Sequence, residues 1–417
     1  MRDRLIILNY QREIPPFMLS QIKYAALQYE QIFYVTRDLV NDNSESCDAD
    51  NFTVVQVGSA RGGLRAIKAI GGALLHGTAC CIADALRKRR FSVKFLKAQL
   101  QNDSGSYLLF RTASKLIEEL GQENCTVLAT WFMSEAYAAS LLKNRFPDIQ
   151  TVSFAHSFEV QKFRDPDLDL RHIVERHANI DRILFISHTV LNRYKNEYMV
   201  PLGLPSDNVS VYYLGSEPNE AEGEGYSHDG IFRLVSCAGI SKVKRLDLLI
   251  EALSEIDEEH ANKLVWTHIG SGPDEDLIQK LAEERLDHLL SFEFTGYMPN
   301  SSVHRYYEEC PCDLFVNVSS MEGLPVSLME SISYGIPAIA TNVGGSGEVV
   351  IDDTSGLLLP SNPTPEEIRD ALVMFMDMPL PKREEYAHNC KLLWAERFDV
   401  SKNARSLYRT LRTCDAL

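Results

Sequence analysis

Short apolar runs alternate with longer amphipathic stretches along nearly the whole chain, and this alternation leaves few architectures open. In the first half the runs are Leu5–Leu8, Ile32–Val35, Thr53–Val57, Val127–Ala129, Thr151–Ala155, Arg182–Ile186 and Val209–Tyr213, with helix-like segments such as Ser20–Tyr29 and Ser134–Arg145 between them. Apolar runs of this kind become strands of a parallel sheet when amphipathic helices cover both faces. An α/β fold follows. Ser216–Gly230, SEPNEAEGEGYSHDG, breaks the pattern: it is acidic, Gly-rich and aperiodic, and reads as a linker. Beyond it the pattern restarts, with strands expected at Phe232–Cys237, Leu264–Ile269, Ser291–Phe294, Leu314–Val318 and Ala338–Thr341. Helices are expected at Leu246–Ile256, Glu275–Glu284, Val303–Glu309 and Pro325–Tyr334, and through Pro365–Arg412. The predicted organisation is a domain over 1–215, a linker over 216–230 and a second domain over 231–394. A final helix, about 395–417, is expected to return to the first domain. Two successive open α/β halves imply a cleft, with ligands at the carboxyl ends of the strands.

A chain of 417 residues suits two such domains. Its 58 acidic and 42 basic residues give a net charge of −16, which disfavours a general nucleic-acid binder. One window departs from the average: residues 61–100 carry nine Lys or Arg against a single acid, Asp84. There Arg87, Lys88, Arg89, Arg90, Phe91 and Lys94 follow the uncharged 15-residue stretch Ala69–Ala83, which is too short to span a bilayer. A basic amphipathic segment beside an apolar one predicts shallow docking on an anionic membrane surface; a solvated helix face over an ordinary core is the alternative. The nine cysteines are scattered without a CxxC pair, so a zinc site is not expected. The amino-terminal apolar run of four residues is too short for a signal peptide. The expected location is the cytoplasm, peripheral to the inner face of the cytoplasmic membrane.

The most informative stretch is Leu314–Val350, LFVNVSSMEGLPVSLMESISYGIPAIATNVGGSGEVV. A buried strand ends, a short loop carries Glu322 and Gly323, and Pro325 opens a helix where its missing N–H does no harm. Free amides of Gly323, Leu324 and Val326 at that helix start, with the positive end of its dipole, suit an anion such as a diphosphate. Glu330 stands eight residues past Glu322, about a turn and a half into the helix. The two carboxylates bracket the anion site, and carboxylates accept hydrogen bonds from hydroxyl pairs.

These residues resemble the donor site of retaining GT-B glycosyltransferases of family 4, the glycosyl transferases group 1, with their Glu-x7-Glu motif. Val235–Ile250 (VSCAGISKVKRLDLLI), Ile269–Pro273 (IGSGP) and Phe294–Pro299 (FTGYMP) resemble further pieces of the same site in order. The resemblance covers 232–350 well and the first 215 residues weakly. It implies the GT-B fold, two Rossmann-like domains facing across a cleft, the first on the acceptor side and the second binding a nucleotide sugar. It implies that Lys244 contacts the diphosphate, Glu322 the donor hexose and Glu330 the ribose. The amides of Gly323, Leu324 and Val326 would face phosphate, Gly272 would lie in a donor loop, and Tyr297 and Met298 beside the base. His156, directly after Thr151–Ala155, would meet an outer hydroxyl of the donor sugar. Gly239 stands where the family commonly has an arginine, so either Lys242 or Arg245 substitutes as charge partner or one charge suffices. Pro325 also replaces a glycine common in that loop.

The implied reaction moves a hexosyl unit, with retention, from a nucleotide diphosphate sugar (UDP foremost) to a glycan or lipid-linked acceptor. The implied setting is bacterial surface-polysaccharide assembly. No metal or other cofactor is expected, because Asp165, Asp167 and Asp169 read as a polar loop away from the donor half. A GT-B nucleotide-sugar epimerase and a non-catalytic sugar-nucleotide-binding partner remain open. The donor sugar, base, acceptor, linkage and oligomeric state are not legible.

Overall fold

The computed structural model describes residues 2–37, 49–57, 71–72, 93–160, 166–217 and 226–413. Thirteen strands lie among them: β1 (Arg4–Asn9), β2 (Gln31–Thr36), β3 (Phe52–Gln56), β4 (Cys125–Ala129), β5 (Gln150–Ala155), β6 (Arg182–Phe185), β7 (Val209–Val211), β8 (Phe232–Cys237), β9 (Leu264–Ile269), β10 (Ser291–Phe294), β11 (Leu314–Asn317), β12 (Ala338–Thr341) and β13 (Gly356–Leu359). They form a seven-stranded sheet, β3-β2-β1-β4-β5-β6-β7, and a six-stranded sheet, β10-β9-β8-β11-β12-β13. Every pairing is parallel. Both orders are doubly wound, reversing direction between β1 and β4 in one sheet and between β8 and β11 in the other. This is the α/β architecture that the alternation of runs predicts.

The chain divides into two compact units, 1–214 with 401–417 and 215–400. In the first, Leu5, Ile6, Ile7 and Leu8 of β1 are all fully buried, as a central parallel strand requires. The carboxyl-terminal helix Val400–Thr413 packs back on this unit. Arg412 Nη2 lies 2.8 Å from Asp3 Oδ1, Arg2 N donates to Arg412 O, and Tyr408 packs edge-on against Tyr29. In the second unit Trp266 fills the core beside β8 and donates its indole N–H to Ser236 Oγ at 3.0 Å.

Three parts of the sequence reading differ from the structure, and a fourth lies largely outside the described residues. Asp313 binds the backbone N–H of Ser227 (3.0 Å) and of Arg233 (2.8 Å), so the carboxyl end of the expected linker is pinned to the second unit. Asp167 and Asp169 lie in a helix, Pro166–Asn179, not a polar loop; Asp165 lies outside the described residues. The strand β13 and the short helix Ser346–Val349 have no counterpart among the expected elements. Of the basic window, Arg87, Lys88, Arg89, Arg90 and Phe91 lie outside the described residues, and Lys94 falls in the first turn of the helix Val93–Leu120. Among the described residues no helix is long and apolar enough to cross a membrane.

Candidate active site

In the second unit the sheet reverses direction between β8 and β11, and the loops leaving these two strands are laced together. After β8 the chain makes a short turn, Lys242–Lys244, and Arg245 takes the left-handed conformation (φ +50°) before the helix Leu246–Ser254. A non-glycine residue there carries backbone strain, and the Arg245 guanidinium offsets it with four hydrogen bonds. It donates to Val318 O (2.6 Å), Ser319 O (3.0 Å), Ser361 O (3.1 Å) and Asn362 Oδ1 (3.0 Å). These four bonds go to the loops after β11 and β13, so Arg245 clamps both loops to the start of its helix. Lys242 is exposed. Ser320 N adds a bond to Val243 O at 2.8 Å.

The clamp brings Lys244 Nζ to 2.7 Å from Glu322 Oε1, and Asn317 Nδ2 reaches the same oxygen at 3.2 Å. The Glu322 side chain is 10% exposed and that of Lys244 26%, so the pair is sheltered but open to a ligand. From the other side Gly344 (φ +56°) packs so closely that a Cβ would sit 1.9 Å from Glu322 O, and Gly345 N donates to Gly323 O at 2.6 Å. Only glycine fits that approach. The carboxylate at 322 is thus held by Lys244 and Asn317, and its backbone by the segment at Gly344.

Pro325 is extended (φ −73°, ψ 113°) and caps the helix Val326–Ser333 without a side-chain hydrogen bond; it precedes the first helical residue instead of occupying it. The first-turn amides are left for a ligand or water, at the positive end of the dipole. Leu324 is buried and Val326 exposed, so the apolar side chain at 324 anchors the turn while 326 faces outward.

Glu330 is buried on that helix, and Asn300 Nδ2 donates to its Oε1 at 2.7 Å. Burial raises its pKa to about 7, the Asn300 hydrogen bond opposing the shift. His304 Nε2 lies 3.8 Å from the same oxygen, and burial pushes its pKa down. Asn300 opens the helix that follows Tyr297–Pro299, tying the loop after β10 to Glu330. Tyr297 in that loop is 77% exposed and Met298 half-buried.

Gly272 is required by the packing of its own loop. A Cβ at 272 would meet Ile240 O at 2.2 Å, and one at Gly270 (φ +139°) would meet Ala238 O at 2.0 Å. These glycines let the loops after β8 and β9 pack backbone to backbone, with Ile240 N donating to Ser271 O. Gly239 is under no such constraint: a Cβ there meets only Ser271 O, at 3.6 Å.

The first unit presents its own group at the β1/β4 reversal. Glu159 accepts from Phe132 N (2.7 Å) and His156 N (2.5 Å), and Glu135 from Tyr10 N (2.9 Å). Arg176 donates to Phe132 O at 2.7 Å and lies near both carboxylates. Burial raises Glu135 to about 7 and Glu159 well above the usual carboxylate range. His156 is buried, its pKa lowered by burial to about 4, and its Nε2 has no partner among the described residues. At neutral pH it is an uncharged imidazole with one unused nitrogen.

Sequence reasoning misses Asn317, Asn300 and the Arg245 clamp. Asn317 is the legible one, since a polar residue closes the otherwise apolar strand Leu314–Asn317.

Residues 227–392 match the family described as Glycosyl transferases group 1. The chain is 26% identical over 232 residues to the amylovoran biosynthesis glycosyltransferase AmsK of Erwinia amylovora, covering 53% of this chain and 55% of that protein. It is 24% identical over 232 residues to the uncharacterized glycosyltransferase MJ1069 of Methanocaldococcus jannaschii, covering 54% of this chain and 56% of that protein. The chain thus spans about half the length of these curated relatives. In three dimensions it is similar to Anabaena Alr3699/HepE, solved in complex with UDP, with a TM-score of 0.71 at 14% identity over 98% of this chain and all of that one. The likeness shows the fold: two parallel-sheet Rossmann-like domains of the GT-B type.

Proposed function

We propose that this GT-B chain is a retaining glycosyltransferase that moves a hexosyl unit from a nucleotide diphosphate sugar, UDP foremost, to a glycan or lipid-linked acceptor. The observation that carries the reading is the Lys244–Glu322 pair, 2.7 Å apart beside the uncapped start of Val326–Ser333, at the sheet reversal where doubly wound folds bind nucleotides. The family match over 227–392 and the UDP-bound neighbour support it.

In this reading the diphosphate takes the amides at the helix start and the ammonium of Lys244. As the anomeric C–O bond breaks, its electron pair passes to the phosphate oxygen, and these donors stabilise the charge that grows there. Glu322, released from Lys244, accepts from hexose hydroxyls, while Glu330 accepts from the ribose diol. His156 offers its free imidazole nitrogen to an outer hydroxyl of the sugar. The acceptor hydroxyl attacks the oxocarbenium-like carbon on the departing face and gives its proton to the leaving phosphate oxygen. Surface-polysaccharide assembly is the setting that the amylovoran relative suggests. Docking of the basic segment 83–100 on an anionic membrane would present a lipid-linked acceptor, and liposome flotation with and without anionic lipid tests it.

The test of function is incubation with a panel of UDP- and GDP-sugars, followed by anomer-resolved proton NMR. Slow release of sugar with the donor's anomeric configuration supports the reading. An epimerised donor would instead favour the epimerase, and binding without turnover the non-catalytic partner.

A further inference from the structure

At the β1/β4 reversal of the first unit three aromatic rings pack around Trp131. Trp131 follows β4, His156 follows β5, Phe158 lies in the turn Ser157–Glu159, and Phe17 begins the helix Pro16–Ala25. Ring centroids are 4.4 Å apart for Trp131 and His156, 5.3 Å for Trp131 and Phe158, 5.5 Å for Phe17 and Trp131, and 5.1 Å for Phe17 and His156. Phe158 is 50% exposed, and Trp131 is half-buried. Two ring nitrogens in the cluster, Trp131 Nε1 and His156 Nε2, are buried without a hydrogen-bond partner among the described residues.

An ordinary core cluster does not look like this. A buried indole N–H normally finds an acceptor, and a large apolar ring held half in solvent by a tight turn gains little from packing. The turn itself is braced: the Glu159 carboxylate bridges Phe132 N and His156 N, so Phe158 and Trp131 are held in a fixed relation. An exposed aromatic face held on a braced turn matches one ligand chemistry well, the pyranose ring, whose axial C–H face stacks on arenes. The position fits too, because doubly wound sheets bind small molecules outside the strand ends where the order reverses.

We infer that Trp131 and Phe158 form a saccharide-stacking platform, the subsite for the sugar ring of the acceptor. The inference rests on the glycosyltransferase reading for the word acceptor, but not for the platform, which is a property of the first unit alone. Phe158 is the stacking face, and Trp131 is its support.

The experiment uses the full chain and methyl glycosides of glucose, galactose and N-acetylglucosamine, with their disaccharides, as probes in saturation-transfer NMR. Wild-type protein is expected to transfer saturation from aromatic protons to the axial ring protons of at least one probe. Phe158→Ala should weaken that probe's binding roughly 3- to 10-fold, the range for loss of one aromatic pairing, and Phe158→Trp should restore it. The thermal shift with UDP should be the same in all three proteins, which establishes that the variants are folded. Unchanged saccharide binding in Phe158→Ala, or no binding of any probe to the wild type at millimolar concentration, overturns the platform. A wild type that binds saccharide but shows no shift with any nucleotide leaves the platform standing and removes the donor reading instead.

Discussion

Replacing Glu322 with Gln should strengthen binding of the bare nucleoside diphosphate while abolishing transfer. Without ligand, Lys244 is held by Glu322 at 2.7 Å. At an effective dielectric near 20 the gross attraction at that distance is about 6 kcal/mol. Desolvation offsets most of it, and a charge-assisted hydrogen bond in a sheltered site retains about 1.5–3 kcal/mol net. UDP alone must draw Lys244 away from this partner and gains no hexose contacts from Glu322 in return. Removing the carboxylate charge removes part of that opposition, about 1–2 kcal/mol, or a roughly 5- to 30-fold lower Kd for UDP. Asn317 remains to hydrogen-bond the glutamine amide, so the loop keeps its position. Titration calorimetry with UDP at low and high salt measures the effect, which should shrink as ionic strength rises. Lys244→Ala should move the other way, weakening UDP about 10-fold or more. Unchanged UDP affinity in both variants would refute the exchange of Lys244 between carboxylate and phosphate.

Glu330 provides a pH test. Its pKa is raised from 4.5 to about 7 by burial, so its stability contribution is intact below about pH 4.5 and is lost as pH rises to about 7. Glu330→Gln should therefore raise Tm above pH 7 relative to wild type and leave it unchanged near pH 4.5; a constant Tm difference across that range would contradict the assignment. Because the ribose diol is bound by the ionised carboxylate, UDP affinity should rise from about pH 6 to about pH 8 in the wild type and stay flat in Glu330→Gln. Gly344→Ala places a Cβ 1.9 Å from Glu322 O at a φ of +56°, and should destabilise the protein by about 2–3 kcal/mol in denaturant titration. Gly239→Arg meets nothing closer than Ser271 O at 3.6 Å; it should leave stability within about 0.5 kcal/mol and tighten UDP binding by supplying a second cation near the diphosphate.

The sheets are legible because buried parallel strands are short apolar runs with little else to become. Phe232–Cys237, Leu264–Ile269, Ser291–Phe294 and Ala338–Thr341 fall on the observed strands to the residue. The strand β13 escapes notice because it is four residues long and opens on Gly356, a residue that weakens a strand. Asp167 and Asp169 read as loop residues because the acids around Pro166 outweigh it, although proline is favoured at the first position of a helix. At the site, the helix start at Pro325 and the spacing of the two glutamates can be placed from sequence because both are local. The task of Arg245 cannot, since its acceptors at 318, 319, 361 and 362 are brought to it only by the sheet. The same holds for Gly272, whose partner is the backbone of Ile240, and for Trp131 and Phe158, which come from different strand ends.

The most direct test is a crystal structure of the full chain with UDP. The β-phosphate is expected within about 3 Å of Lys244 Nζ and of the first-turn amides of Val326–Ser333, with the Lys244–Glu322 pair broken. A nucleotide seated elsewhere, or seated there with Lys244 still bonded to Glu322, would contradict it.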